Sequence, residues 1–195
     1  MNEWEVQQLL KRLAAGDLAA FDRIYEMTFQ DVYRTLSLLL VNRGDIEDVM
    51  NEVYVGMWLS LPRYDPGRPF RYWLHGLIVR KAQDWRRKAW RRLRLLKRAN
   101  WAKGTDGWTD DSVLAAETRQ EVLTLVRRLP YKLRVVIILR YYHDYTLEEM
   151  AELLQIPLGT VKSRHHHALK KLRRQLEERP QGKVASTDDL GTTTT

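Results

Sequence analysis

Apolar residues recur three and four positions apart through nearly every long segment of this chain, and no other feature restricts its fold as much. A helix returns the same face to the core about every 3.6 residues, whereas a half-buried strand alternates every second residue. Sustained period-two alternation and Asn-Gly hairpin turns are both missing from the sequence, so the expected fold class is all-α. The first helical body is expected to run from about Gly16 to Trp90. Asp17 is positioned as an N-cap, and Phe21, Ile24, Tyr25, Val32, Leu36, Leu39 and Leu40 trace one face of a long helix that stops near Asn42-Arg43-Gly44. Asp45 is then expected to cap a second helix. Ile46, Val49, Val53 and Met57 would be its buried stripe, leaving Glu47, Asp48, Asn51 and Glu52 on an acidic outer surface.

Between Leu61 and Pro69 the chain packs three prolines and a glycine into nine residues, which predicts a constrained loop without helix. Helix resumes at Phe70, with Trp73, Leu74, Leu77 and Ile78 inward, and continues into a basic run. From Arg86 to Arg98 there are eight Lys or Arg and no acid, and three aspartates with Gly104 and Gly107 follow within Asn100 to Asp111. That reversal of charge marks a boundary. It divides the chain into a domain over 1–98, a flexible linker over 99–111, a second domain over 112–179 and a disordered tail over 180–195. Trp101 and Trp108 are large apolar groups for a linker; they either fold back onto a domain or meet a partner. In the second domain, Val122, Leu123, Val126 and Leu129 mark a helix closed before Pro130, and Val135, Val136, Leu139 and Tyr142 mark another.

The most specific pattern is Tyr145-Thr-Leu-Glu-Glu-Met-Ala-Glu-Leu-Leu-Gln-Ile-Pro-Leu-Gly-Thr-Val-Lys-Ser-Arg164. Thr146 and Glu149 form a capping-box pair that starts a helix at Leu147, and Leu147, Met150, Ala151 and Leu154 make its stripe. Gln155-Ile-Pro157 breaks that helix before another begins near Leu158 or Gly159, which writes a helix-turn-helix. On the second helix Val161, His165, Ala168, Leu169 and Leu172 face inward, and Lys162, Ser163, His166, Lys170 and Arg173 outward. Six Lys or Arg and no acid lie between Lys162 and Arg174, a surface suited to phosphates, with early side chains reaching base edges. His165-His166-His167 is not read as a metal site: consecutive helical residues point about 100° apart, whereas helical metal pairs sit four apart.

Composition agrees with a nucleic-acid partner. The 195-residue chain carries a net charge of +8 and no cysteine, so disulfides and thiolate metal sites are excluded and a reducing, cytoplasmic location is expected. Met1 to Leu10 has no signal-like apolar run, and the stretches Val135 to Leu139 and Leu36 to Val41 are far below the roughly 20 residues that span a bilayer. Direct membrane insertion is not expected. No zincin, P-loop or deaminase motif occurs, so no enzymatic activity, metal or cofactor is expected.

The segments Asp45-Ile-Glu-Asp-Val-Met-Asn-Glu-Val-Tyr-Val-Gly-Met-Trp58, Phe70-Arg-Tyr-Trp-Leu74, Asp84 with its trailing arginines, Leu129-Pro130 and Pro157-Leu-Gly-Thr-Val-Lys-Ser-Arg164 with Ala168 stand in one order along Asp17 to Leu176. In that order they resemble the extracytoplasmic-function (ECF) class of bacterial sigma factors in the sigma-70 family. The resemblance implies a subunit that binds core RNA polymerase and directs promoter-specific initiation. Asp48, Asn51 and Glu52 would dock on the polymerase clamp coiled coil. Arg63, Tyr64, Arg68, Phe70, Tyr72, Trp73, Arg80, Arg86 and Arg87 would engage the minus 10 element, including a flipped base of the melted strand, and Trp73 has the alternative of being plain core. Thr160, Lys162, Ser163, Arg164, His166, His167 and Lys170 would read the minus 35 element in the duplex major groove. An anti-sigma factor is a further implied partner. This chain departs from the family pattern at Asn51, where Gln is usual, at Arg80, where Asn is usual, and at His165 and His167, which replace Leu and Arg. A cation at 80 trades a base-edge contact for a phosphate contact. The other reading of the residues is a stand-alone helix-turn-helix regulator that binds duplex DNA without polymerase.

Overall fold

In the computed structural model, which describes residues 2–99 and 117–178, every regular element is helical. Of the linker expected over 99–111, only Ala99 is described, as the last residue of a helix; the rest of it with Trp101 and Trp108, the second-body start near Ser112 and the tail from Pro180 fall outside the described residues.

The Asn2 side chain accepts the Trp4 N–H at 3.1 Å and opens α1 (Glu3–Ala14), which buries Val6, Leu9, Leu10 and Leu13. A first body beginning near Gly16 leaves this helix out, although its apolar residues stand at i, i+3, i+4 and i+7. Each such burial stabilises by about 2 kcal/mol, so α1 belongs to the core. Gly16 turns the chain at φ +94°, a conformation that side-chain-bearing residues resist. Asp17 caps α2 (Leu18–Leu39) as expected, accepting the Ala19 N–H at 3.0 Å. The helix stops at Leu39, short of the expected Asn42, because Asn42 instead caps a 3-10 turn (Arg43–Asp45) through the Gly44 N–H at 3.0 Å.

Asp45 precedes α3 (Ile46–Ser60) but makes no side-chain cap bond; its Oδ1 accepts from Asn42 Nδ2 at 3.3 Å. The expected stripe of Ile46, Val49, Val53 and Met57 is buried. The proline-rich segment is not wholly irregular: Leu61–Arg63 forms a 3-10 turn, which accepts Pro62 because the first turn needs no N–H there. The helix α4 (Phe70–Ala99) then runs 30 residues, about 45 Å, through the basic stretch. Its first N–H, on Phe70, donates to Glu3 Oε1 at 2.6 Å, so α1 caps α4 and fixes the mouth of the loop.

In the second bundle, α5 (Glu117–Arg127) buries Leu125 and Val126, while Val122 is 51% exposed, so the stripe is rotated from the expected one. Tertiary packing of α5 among α2 and the helices Tyr131–Tyr141 and Leu158–Glu177 sets which face is buried. The central helix α6 (Tyr131–Tyr141) is enclosed along most of its length, from Val135 through Leu139. The capping box of α7 (Leu147–Leu154) is complete: Thr146 Oγ1 accepts the Glu149 N–H at 3.1 Å, and Glu149 Oε2 accepts the Thr146 N–H at 2.7 Å. Met150 and Leu153 are its deepest residues. Leu153 lies outside the expected stripe because it faces α4. Gln155, at φ 54°, ends α7, and Pro157 leads into α8 (Leu158–Glu177).

The two bundles meet where α5 and α6 lie on α2 and α7 lies on α4. Arg134 is buried there and donates to Leu39 O at 3.0 Å, to Leu129 O at 3.1 Å and to Arg127 O. Tyr131 donates to Val79 O at 2.9 Å.

Candidate nucleic-acid interface

Three surfaces carry the residues singled out in the sequence. The first is the proline loop with the start of α4. Tyr64 fixes the loop: its hydroxyl accepts from Gln7 Nε2 at 2.7 Å and donates to Arg68 O at 2.8 Å. Its ring lies 4.9 Å from that of Trp73, and Trp73 lies 5.7 Å from Phe70. Phe70 is completely buried, so it supports the other two rings from beneath and presents nothing to solvent. Trp73 is half-buried, with one edge in a groove that Arg63, Arg68, Tyr72 and Arg80 also line. Burial raises the Tyr72 hydroxyl above its ordinary pKa and lowers Arg80, with Asp84 opposing the latter. A groove of arginines over an aromatic floor suits a single strand, whose bases stack while its phosphates meet cations.

Arg86 and Arg87 stand apart from this groove. Arg86 lies 4.4 Å over the Tyr131 ring and faces the second bundle, and Arg87 pairs with Asp84 in a separate hollow shared with Glu52, Lys81 and Lys88.

The second surface is α3. Asp48 and Asn51 are exposed, whereas Glu52 pairs with Lys81 at 3.2 Å and Lys88 at 3.7 Å. Beside Asn51 is an apolar hollow formed by Phe21, Tyr25, Tyr54, Val55, Trp58 and Leu59. Val55 is 56% and Leu59 67% exposed. Sequence reasoning passed over this patch, yet its signal was present: Val55, Trp58 and Leu59 cannot share the face of Val49, Val53 and Met57.

The third surface is α8. Lys162, Ser163, His166, His167 and Lys170 are exposed on it, and Thr160 and Arg164 are half-buried. His165 is half-buried, with Nε2 3.1 Å from the Tyr141 hydroxyl, and burial, then Arg140 and His166, lowers its pKa. The hydroxyl satisfies a histidine that the inward face would otherwise strand.

A fourth feature, unexpected from the sequence, joins the bundles. The acidic helix α7 lies over the arginine groove: Tyr72 donates to Glu149 O at 2.8 Å, and Glu152, Leu153 and Gln155 line the groove's far wall. Next to this contact Asp31 of α2, His75 of α4 and His143, between α6 and α7, converge. His75 Nε2 donates to Asp31 Oδ2 at 2.8 Å, and its Nδ1 lies 2.7 Å from the Tyr145 hydroxyl. Arg71 Nη2 can only donate, so His143 Nδ1 accepts from it at 3.2 Å. His143 Nε2 therefore donates to Thr35 Oγ1 at 3.0 Å, and Thr35 passes its own hydrogen to Asp31 O at 2.6 Å. Burial, then His75, holds His143 down at about 3. Burial pushes the Asp31 carboxyl up, but His75, His143 and Arg71 together outweigh it and bring it to about 2.

Comparison with known proteins covers almost the whole chain. The family model for Sigma-70 region 2 matches residues 24–92, and that for Sigma-70, region 4 matches residues 119–172. The ECF RNA polymerase sigma factor SigK of Mycobacterium ulcerans (strain Agy99) is 30% identical over 178 residues, 89% of this chain and 94% of that protein. SigW of Bacillus subtilis (strain 168), another ECF RNA polymerase sigma factor, is 29% identical over 193 residues, 90% of this chain and 99% of the relative. In fold, the chain is similar to CnrH solved in complex with the cytosolic domain of CnrY, with TM-score 0.62, 22% identity and coverage of 90% of this chain and 99% of that one. It is also similar to the sigma factor RpoE solved with the anti-sigma factor NepR from Bartonella quintana, with TM-score 0.64, 18% identity and coverage of 82% and 98%.

Proposed function

We propose that this chain, which belongs to the ECF RNA polymerase sigma factors and directs transcription initiation, divides promoter recognition between its two helical bundles. The first bundle, within 1–98, docks on core polymerase and takes the minus 10 element; the second, within 112–179, takes the minus 35 element; residues 99–111 link them. The observation that carries this reading is the presence, on one chain, of an arginine groove over an aromatic floor and a separate basic recognition helix.

Core docking uses the exposed Asp48 and Asn51 of α3 together with the apolar hollow around Trp58, with Glu52 held at its edge by Lys81. An interface of this kind gains affinity from the buried apolar centre and register from the charges at its rim. In the minus 10 groove, Tyr72 and the edge of Trp73 offer stacking, Arg63, Arg68 and Arg80 meet phosphates, and Tyr64 and Phe70 set the shape of the floor. The placement of Arg86 and Arg87 in the closed chain leaves their contribution to long-range attraction rather than to the groove. On α8, Lys162, Ser163 and His166 meet bases and phosphates early in the helix, and Thr160, Arg164, His167 and Lys170 flank them.

The chain acts by binding, and no reaction of its own is proposed. No helix among the described residues is long and apolar enough to cross a membrane, and a cytoplasmic location follows from the polymerase it serves. An anti-sigma partner is proposed by analogy with the protein solved with NepR. The test is reconstitution: the purified chain, bacterial core polymerase and a promoter library should give a stable complex and initiation at a defined pair of elements. Specific duplex binding without any gain from polymerase would instead favour the stand-alone regulator.

A further inference from the structure

We propose that Asp31, His75 and His143 form a site for a divalent transition-metal ion of the zinc class, and that an ion bound there holds the second bundle closed over the arginine groove. The site is assembled from three elements that are distant in sequence: α2 supplies the carboxylate, α4 one imidazole and the α6–α7 connection the other. One ligand atom from each lies within 4.8 Å of the others. Two imidazoles and a carboxylate are a donor set that suits zinc and its neighbours, with a fourth position left for water.

The surrounding hydrogen bonds favour ligation over a purely structural cluster. Each imidazole has one nitrogen anchored by a hydroxyl, His75 Nδ1 by Tyr145 at 2.7 Å and His143 Nε2 by Thr35 at 3.0 Å. The other nitrogen of each, His75 Nε2 and His143 Nδ1, is turned towards Asp31 or Arg71. Anchored outer nitrogens with the inner ones facing a shared centre are the arrangement by which metal-binding histidines are oriented. A cation already stands beside that centre. The Arg71 guanidinium lies 3.2 Å from His143 Nδ1 and 3.6 Å from Asp31 Oδ2, and its side chain is 48% exposed, so it can swing into solvent and yield its place. His143 needs no change of tautomer to bind. His75 gives up the Nε2 proton that it donates to Asp31 when that nitrogen ligates, and its Nδ1 stays held by the Tyr145 hydroxyl. Bonds of about 2.0–2.2 Å require His75 Nε2 and Asp31 Oδ2 to part by roughly half an ångström from their hydrogen-bonded separation.

Because His143 and Tyr145 come from the second bundle and Asp31 and His75 from the first, an ion at this centre staples the two. The same closure lays α7 over Tyr72 and Arg80. The metal-bound chain is therefore the one that withholds its groove from DNA, a consequence that rests on the function proposed above.

The test titrates the full chain with zinc chloride and, for its visible spectrum, with cobalt(II) chloride. The wild type is expected to take up one buried ion with the intense absorption of a tetrahedral or five-coordinate site. His143→Ala should weaken binding by about a hundredfold or more, and Arg71→Ala, which removes the competing cation, should tighten it. The second variant is decisive, since loss of packing alone would not raise affinity. A chain carrying His165→Ala, His166→Ala and His167→Ala should bind as the wild type does. Uptake lost only in that triple variant, unchanged in His143→Ala, or not tightened in Arg71→Ala overturns the site. Zinc should also suppress initiation by the reconstituted Arg71→Ala holoenzyme. Binding without suppression overturns the closure, and failure of the wild-type holoenzyme to initiate with or without zinc overturns the sigma reading while leaving the metal site standing.

Discussion

Gly76 sits where α4 meets α7, and a pair of substitutions there measures how firmly the bundles are closed. A Cβ added at Gly76 would meet Leu153 Cγ and Leu153 O at 3.7 Å, ordinary contact, and the flexible Arg80 Nη1 at 3.3 Å. Gly76→Ala therefore fits, and it gains up to about 1 kcal/mol of helix propensity within α4. Any atom beyond Cβ must enter the space of α7. Gly76→Leu keeps the helix propensity but overpacks the contact, at a cost of about 1–3 kcal/mol that separation of the bundles relieves. Such a cost shifts the closed-to-open ratio by about 5- to 150-fold. The chain has no cysteine of its own, so dyes on Asp22→Cys of α2 and Lys171→Cys of α8 report the distance between bundles directly. Energy transfer should persist in Gly76→Ala and fall in Gly76→Leu, while the melting of α4 is not lowered in either. Equal transfer in both variants would refute the packing of α7 on α4 as the contact that closes the chain.

Three further outcomes follow from named contacts. Thr146→Ala removes half of the capping box and should destabilise the second bundle by about 1 kcal/mol in denaturant unfolding, with Thr146→Ser restoring most of it. Burial pushes the Tyr54 hydroxyl up to about 12 despite its bond to Thr28 at 3.0 Å. The folded chain then holds a proton that the unfolded chain releases near pH 10, so stability is full below that value and declines as the pH rises from about 10 to 12. Tyr54→Phe should flatten part of that decline in pH-dependent unfolding. Lys162→Ala should lower the slope of log affinity against log salt on promoter duplex by about 1 if the side chain meets a phosphate, and leave it unchanged if it does not.

The helices and the helix-turn-helix were legible because their signals are local. Thr146 and Glu149 are three residues apart, and the Ile46 to Met57 stripe is a single face, so spacing alone locates both. Pattern reading failed where the deciding partner is remote. Val122 and Leu125 are both apolar, and the packing of α5 among α2, α6 and α8 leaves Leu125 buried and Val122 exposed. Leu153 is buried because α4 lies against it, which the stripe of Leu147, Met150 and Leu154 does not reveal. The missed α1 is a different case: Val6, Leu9, Leu10 and Leu13 carry the pattern, and Asn2 the cap. The site residues divide in the same way. Lys162, Ser163 and His166 reach the surface that helical periodicity assigns them, whereas Phe70 is sealed beneath the groove and Arg86 is drawn to Tyr131 of the other bundle. The cluster of Asp31, His75 and His143 leaves no trace in spacing, since the bond from Thr35 to His143 spans 108 residues.

The central claim is that core docking and upstream-element recognition lie on separate bundles, and one step-resolved reconstitution tests it most directly. Holoenzyme is assembled from core polymerase and either Asp48→Lys or the pair Lys162→Ala and Ser163→Ala, and complex formation and initiation are measured on promoters with an intact or a scrambled minus 35 element. Asp48→Lys should lose core binding, and the paired variant should keep core binding while losing its discrimination between the two promoters. Loss of the same step in both, or intact discrimination in the paired variant, would contradict that separation.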